Sequence, residues 1–244
     1  GILLNATTIR QMVEGGDSSL PKIRVAGFAD IRVVPGDELI EQLATSYSRV
    51  GEDDTIVITR SNKRANIYNE GIRRTVLDRE EELCRGDRLM IVKNNYHWLQ
   101  SEGGGYLANG DMATVQRIRN VHEQYGFRFA EVTLLFPDYD DLELTATVLL
   151  DTLTSESASL TRDEQQQLYD RVMDDYADIP LKADRLKKLK EDRYYNALQV
   201  KFAYAVTCHK AQGGQWSHVY IDQGYMTDDM LGPDYLHWLY TAFT

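Results

Sequence analysis

Cysteine is nearly missing from this chain. Cys84 and Cys208 lie far apart with no CxxC pairing, which excludes a disulfide framework and a thiolate metal cage and leaves both as buried thiols. Long apolar runs are also missing, since no stretch approaches the roughly 18 to 20 residues needed to span a bilayer. The opening GILLNATTIRQ lacks the basic start and small-residue cleavage site of a secretion signal, so a cytoplasmic location without a membrane partner is expected. The five histidines do not cluster at ligand spacing and no G-x-S-x-G occurs, which leaves a metal-dependent or hydrolytic enzyme without support and gives no metal ligands. Glycine is sparse, 17 in 244 residues, so an adjacent pair at 213 and 214 calls for a reason.

What is present describes a folded protein: 43% hydrophobic residues and 10% aromatics allow a sizeable core in one large or two modest domains. A net charge of −11 argues against a polyanionic partner until its distribution is followed. The segment RSNKRANIYNEGIRR (60–74) carries five basic residues against one Glu, and KADRLKKLK (182–190) five against one Asp. Two basic patches are therefore expected, with acidity gathered in PDYDDLE and DRVMDDYAD.

Residues 1–15 read as a helix carrying Ile2, Leu3, Ile9 and Met12 and ended by Gly15-Gly16. A short strand is expected around KIRVAGF (22–28). An amphipathic helix follows over 35–51, with Leu39, Ile40, Leu43 and Tyr47 at helical spacing and Gly51 as its stop. DTIVITR is a buried strand by its β-branched run, and SNKRANIYNEGIRR a helix capped by Ser61 or Asn62. From about residue 86, GDRLMIVKNNY, DMATVQRIRN, FRFAEVTLLF and LELTATVLL are four strand candidates of a small antiparallel barrel. Residues 161–178 read as a helix opened by the capping box Thr161–Glu164, with Leu168, Val172 and Tyr176 on its apolar face. Buried-strand character returns at LQVKFAYAVT. The expected organisation is an α/β domain made of 1–85 and 196–244, interrupted at 86–195 by a barrel with a helical arm. Starting at Gly1 and ending within the apolar helical pattern YLHWLYTAFT, the chain reads as a piece of a longer one.

Three places carry candidate chemistry, two of them at sheet ends. In an open α/β sheet, ligands bind beyond the carboxyl ends of the strands, and a helix N-terminus there attracts anions. ITRSN puts Arg60 at such an end. YAVTCHKAQGGQW puts Thr207, Cys208, His209 and Lys210 at another, followed by a Gln212-Gly213-Gly214-Gln215 turn whose glycines permit close backbone approach or positive φ. In the barrel, NNYHWLQ supplies Tyr96, His97 and Trp98, which suit stacking on bases; a core tryptophan beside a polar turn is the plainer alternative. SEGGGY (101–106) reads as a flexible loop.

YAVTCHKAQGGQW resembles motif V of superfamily 1 helicases, most of all the RecD-like and Dda-like branch, whose relatives include the exonuclease V alpha subunit. TIVITRSN is similar to motif IV of that superfamily and LYTAFT to the first part of motif VI; GDRLMIVKNNY with LANGDMATV resembles the opening of the SH3-like insertion of this branch. The resemblance implies a RecA-like second motor domain, of the P-loop NTPase type, carrying that insertion. It implies Thr207, His209 and Lys210 on the backbone of single-stranded DNA, with Tyr96 and Trp98 of the barrel as further DNA contacts. It also implies Arg60, Gly213, Gly214 and Gln215 at a nucleotide, Arg60 on the γ-phosphate and the glycines letting the loop lie close to both ligands. At Gln215 many relatives carry Glu. No G-x-x-x-x-G-K-[ST] occurs, so no catalytic set is complete here. The implied cofactors, ATP and Mg²⁺, belong to a complete protein whose N-terminal motor domain is the partner of this piece, with single-stranded DNA and other repair proteins as further partners; none is expected on the piece itself. Movement of such motors is 5′ to 3′. The competing reading is a helicase-derived module that binds nucleic acid or peptide without a motor.

Overall fold

The computed structural model describes residues 1–244 and divides into two compact units, one formed by Gly1–Asp78 with Tyr204–Thr244 and one by Arg79–Ala203. The joints thus fall at 78/79 and 203/204, whereas composition alone suggests 85/86 and 195/196.

In the first unit, β1 (Thr55–Thr59) is buried at all five positions, as a β-branched run flanked on both edges demands. Its neighbours are β7 (Ala205–Thr207) and β8 (His218–Ile221), both parallel to it, in the order β7-β1-β8. Helix α3 (Asn62–Gly71) starts at Ser61, whose hydroxyl accepts the Arg64 N–H at 3.1 Å, and continues into a π-helical turn over Ile72–Val76. Asn69 of α3 is buried and seals the outer edge of β7, donating to the Ala205 carbonyl at 2.9 Å and accepting its N–H at 2.7 Å. Helix α2 (Leu39–Val50) ends at Gly51, whose φ of 90° needs glycine. It is fastened to β8 through Ser46, bonded to the Tyr220 hydroxyl at 2.6 Å and to His218 Nδ1 at 2.8 Å.

Helix α1 (Ile2–Glu14) buries Asn5, Ala6 and Ile9 and packs against α7 (Pro233–Phe243), where Tyr235, Leu236 and Leu239 share a core with Ile9. Leu3 instead stands 79% exposed. The strand expected around 22–28 is not formed. Arg24 has both backbone groups taken by one side chain, the Asn5 amide, at 2.8 Å each, so a side chain satisfies what a neighbouring strand would have supplied.

The second unit is a closed five-stranded barrel with a helical arm. Strands β2 (Arg88–Ile91), β3 (Met112–Gln124), β4 (Phe127–Phe136) and β5 (Leu142–Leu149) follow one another antiparallel from β2 to β5. The fifth strand, β6 (Leu198–Phe202), lies antiparallel to β2 and parallel to β5. LQVKFAYAVT is therefore two strands, β6 closing the barrel and β7 joining the sheet. Closure is short on the parallel side, with only Val148↔Leu198 and Leu149↔Gln199 in register, and Thr152 prolongs it. This fully buried hydroxyl donates to the Val200 carbonyl at 2.9 Å and accepts its N–H at 3.1 Å.

The β3–β4 hairpin turns at Tyr125 and Gly126, both at positive φ. Its outer half packs with the arm, α4 (Arg162–Asp175) and α5 (Lys182–Glu191), burying Phe127, Phe129, Leu168, Val172 and Leu189 together. The expected capping box is present: Thr161 Oγ1 accepts the Glu164 N–H at 3.2 Å and Glu164 accepts the Thr161 N–H at 3.1 Å. No helix is long and apolar enough to cross a membrane.

Candidate functional site

The parallel register aligns three strand ends: Thr59 is level with Thr207, and Ile58 with Ile221. Arg60, Cys208 and Asp222 are the next residues along, at the carboxyl edge of the sheet, where open α/β sheets bind ligands.

Arg60 is exposed and held from one side. Its guanidinium lies 5.2 Å from the Tyr235 ring centroid and 5.7 Å from that of Trp238, and Nη1 donates to Met226 Sδ at 2.7 Å. Tyr235 and Trp238 are three apart on α7 and stack at 6.2 Å, forming a shelf under the cation. The Tyr235 hydroxyl donates to Gln223 at 3.0 Å, and burial pushes its pKa up while the Arg60 charge works the other way. This shelf was not anticipated from the sequence, although the i, i+3 aromatic pair is legible in YLHW.

Arg64 is already committed. It grips Asp222 through Nε at 2.9 Å and Nη2 at 2.6 Å, joining the first turn of α3 to the end of β8, and that bond raises the guanidinium pKa. Arg74 pairs with Glu70 at 3.1 Å and Arg73 is buried. The basic patch expected over 60–74 is therefore thinner than its charge count, with Arg60 and Lys63 left exposed. Over 182–190, by contrast, Lys182, Lys187, Lys188 and Lys190 all remain exposed.

Thr207 closes β7 and opens the one-turn helix α6 (Cys208–Ala211). Its side chain makes no capping bond, which leaves the hydroxyl uncommitted and half-buried at the strand end. Cys208 turns inward, its Sγ 3.7 Å from the Trp238 carbonyl, and burial pushes the thiol pKa up, so it serves packing rather than nucleophilic chemistry. His209 is exposed beside it; Lys210 is half-buried, which lowers the pKa of its ammonium.

The glycine pair has two separate reasons. Gly213 takes φ of 86° to turn the chain after α6. Gly214 is crossed by the Trp216 indole, and a Cβ built there would stand 2.1 Å from the ring. Gln215 follows and is exposed.

Tyr96 and Trp98 belong to the second unit. Tyr96 is 60% exposed and stacks on Tyr106 with ring centroids 4.9 Å apart, so it presents an aromatic face. Trp98 is tied down, its Nε1 donating to the Asn196 carbonyl at 2.8 Å, with His97 edge-on at 4.9 Å. Tyr106, which the sequence places in a flexible loop, is the partner in that stack.

Residues 202–244 match the UvrD-like helicase C-terminal domain family. That match supports a superfamily 1 helicase C-terminal region, with a helicase-derived function and nucleic-acid binding. It takes in β7, α6, β8 and α7, hence Thr207, His209, Lys210, Gly213, Gly214 and Gln215. Arg60 and the barrel aromatics lie outside it. No curated protein matches the chain.

Proposed function

We propose that this chain is the second motor domain, RecA-like in fold, of an ATP-dependent superfamily 1 DNA translocase of the RecD-like branch, with its barrel as the SH3-like insertion. The observation that carries the reading is the coincidence of the helicase-family match with the carboxyl edge of a parallel sheet, where Arg60 stands level with the Thr207–His209 turn.

In this reading Thr207 and His209 hold the DNA backbone with Lys210, Gln215 reaches the nucleotide, and Arg60 meets the γ-phosphate when the first motor domain closes on this one. Gln215 brings an amide and no charge, which suits a ribose hydroxyl. The chain has no phosphate-cradling loop and no carboxylate set for Mg²⁺ at this edge, so ATP and Mg²⁺ would be held chiefly by the partner motor domain. ATP would favour the closed arrangement and hydrolysis would release it, moving the protein 5′ to 3′ along the strand.

The test is steady-state ATPase of the protein carrying both motor domains, with and without single-stranded DNA. Thr207→Ala and His209→Ala should each weaken DNA stimulation while basal turnover is kept. Arg60→Ala should lower kcat on the order of tenfold or more with a smaller change in KM, because its contact belongs to the closed state. Full DNA stimulation in both edge variants, or an unchanged kcat in the third, would refute the respective roles.

A further inference from the structure

The second unit holds a cleft of about 340 Å³ where the β2–β3 loop faces the helical arm. Two lysines line it, Lys93 and Lys190, and no carboxylate does, which is a pronounced local bias in a chain of net charge −11.

Two of the side-chain amides keep only their donor ends free. Gln165 Oε1 already accepts from Lys93 Nζ at 3.1 Å and from Gln199 Nε2 at 3.2 Å, which leaves its NH₂. Asn94 Oδ1 accepts the Asn109 N–H at 2.7 Å, which leaves its NH₂ as well. Lys190 makes no ion pair, and burial pushes the Lys93 ammonium below the usual lysine range. Two cations and two amide NH₂ groups facing no carboxylate fit an oxyanion, for which a lysine acts as a point charge.

The rest of the wall mixes side-chain amides with the rings of Tyr96, His97 and Tyr195. His97 and Tyr195 line the same cleft with rings of the kind on which bases stack. The volume stands at the small end of ligand pockets, which begin near about 300 Å³, a size that suits one nucleotide unit rather than a run of them.

We propose that this cleft binds a single nucleotide, its phosphate on Lys93 and Lys190 with the Gln165 and Asn94 amides, and its base against His97 and Tyr195. A free nucleoside monophosphate and one residue of a single strand present the same chemistry. The site lies wholly within the second unit and does not depend on the motor reading.

The 244-residue chain is titrated by calorimetry with 5′-dAMP, deoxyadenosine and inorganic phosphate. Binding of dAMP is expected, with deoxyadenosine and phosphate each at least about tenfold weaker. Lys190→Met and Gln165→Glu should each weaken dAMP at least about tenfold with unchanged circular dichroism, whereas Lys187→Met, outside the cleft, should leave it within about twofold. No binding at millimolar dAMP, equal binding of deoxyadenosine, or an unchanged affinity in both cleft variants overturns the proposal. Displacement of dAMP by an eight-residue oligothymidylate assigns the natural ligand to a strand; failure to displace it assigns a free nucleotide.

Discussion

At the scale of single residues, the 213–216 turn shows two glycines doing different things. Gly213 answers to backbone conformation and Gly214 to a neighbour's ring. The sequence makes the pair conspicuous and offers both explanations, but it cannot say that Trp216 folds back over Gly214, because that contact depends on how the turn closes. Gly214→Ala should force the indole off its site at a cost below about 1 kcal/mol, because Gly214 is exposed and the half-exposed Trp216 ring can swing toward solvent. The check is chemical denaturation together with the Trp216 indole N–H resonance, which should move toward that of an exposed tryptophan; an unmoved resonance would contradict the packing. Arg60 teaches a related lesson. Its position at a strand end is legible, but its aromatic shelf on α7 is not, since a helix more than 170 residues later supplies it.

At the scale of elements, local signals served where they were self-contained. The capping box of α4, the Ser61 cap of α3 and the β-branched run of β1 each formed where their own residues specify. Long-range choices were less visible. Residues 198–207 carry one unbroken buried-strand character, with no Gly or Pro to mark the change of sheet, and only the partners β2, β5 and β1 divide it. KIRVAGF had strand character without a strand to pair with, and the Asn5 amide took the place. The barrel seam gives a test. Thr152→Val keeps the shape but leaves the Val200 N–H and carbonyl without their buried partner, which should cost about 1–3 kcal/mol in urea unfolding. A loss below 0.5 kcal/mol would mean that the two-pair parallel ladder closes the barrel unaided.

At the scale of the whole molecule, the two units differ in how the chain supplies them. The second is one continuous stretch, whereas β1 of the first takes both of its strand neighbours from beyond that stretch. A polypeptide of residues 79–203 should therefore unfold cooperatively on its own. Residues 1–78 alone should show no cooperative transition, and joining them to 204–244 through a flexible linker should restore one. Circular dichroism melting curves of the three polypeptides decide it; a cooperative transition in 1–78 would show that β1 needs neither neighbour.

The same interruption sets a clock. With chain growth at roughly 5–20 residues per second, β1 leaves the ribosome on the order of ten seconds before β7 and β8 exist to flank it. Throughout that interval TIVIT is an unpaired, water-repelling ribbon, while the barrel strands that emerge next can already be pairing among themselves. In biosynthesis the inserted unit therefore comes to completion first, and its host must wait for it.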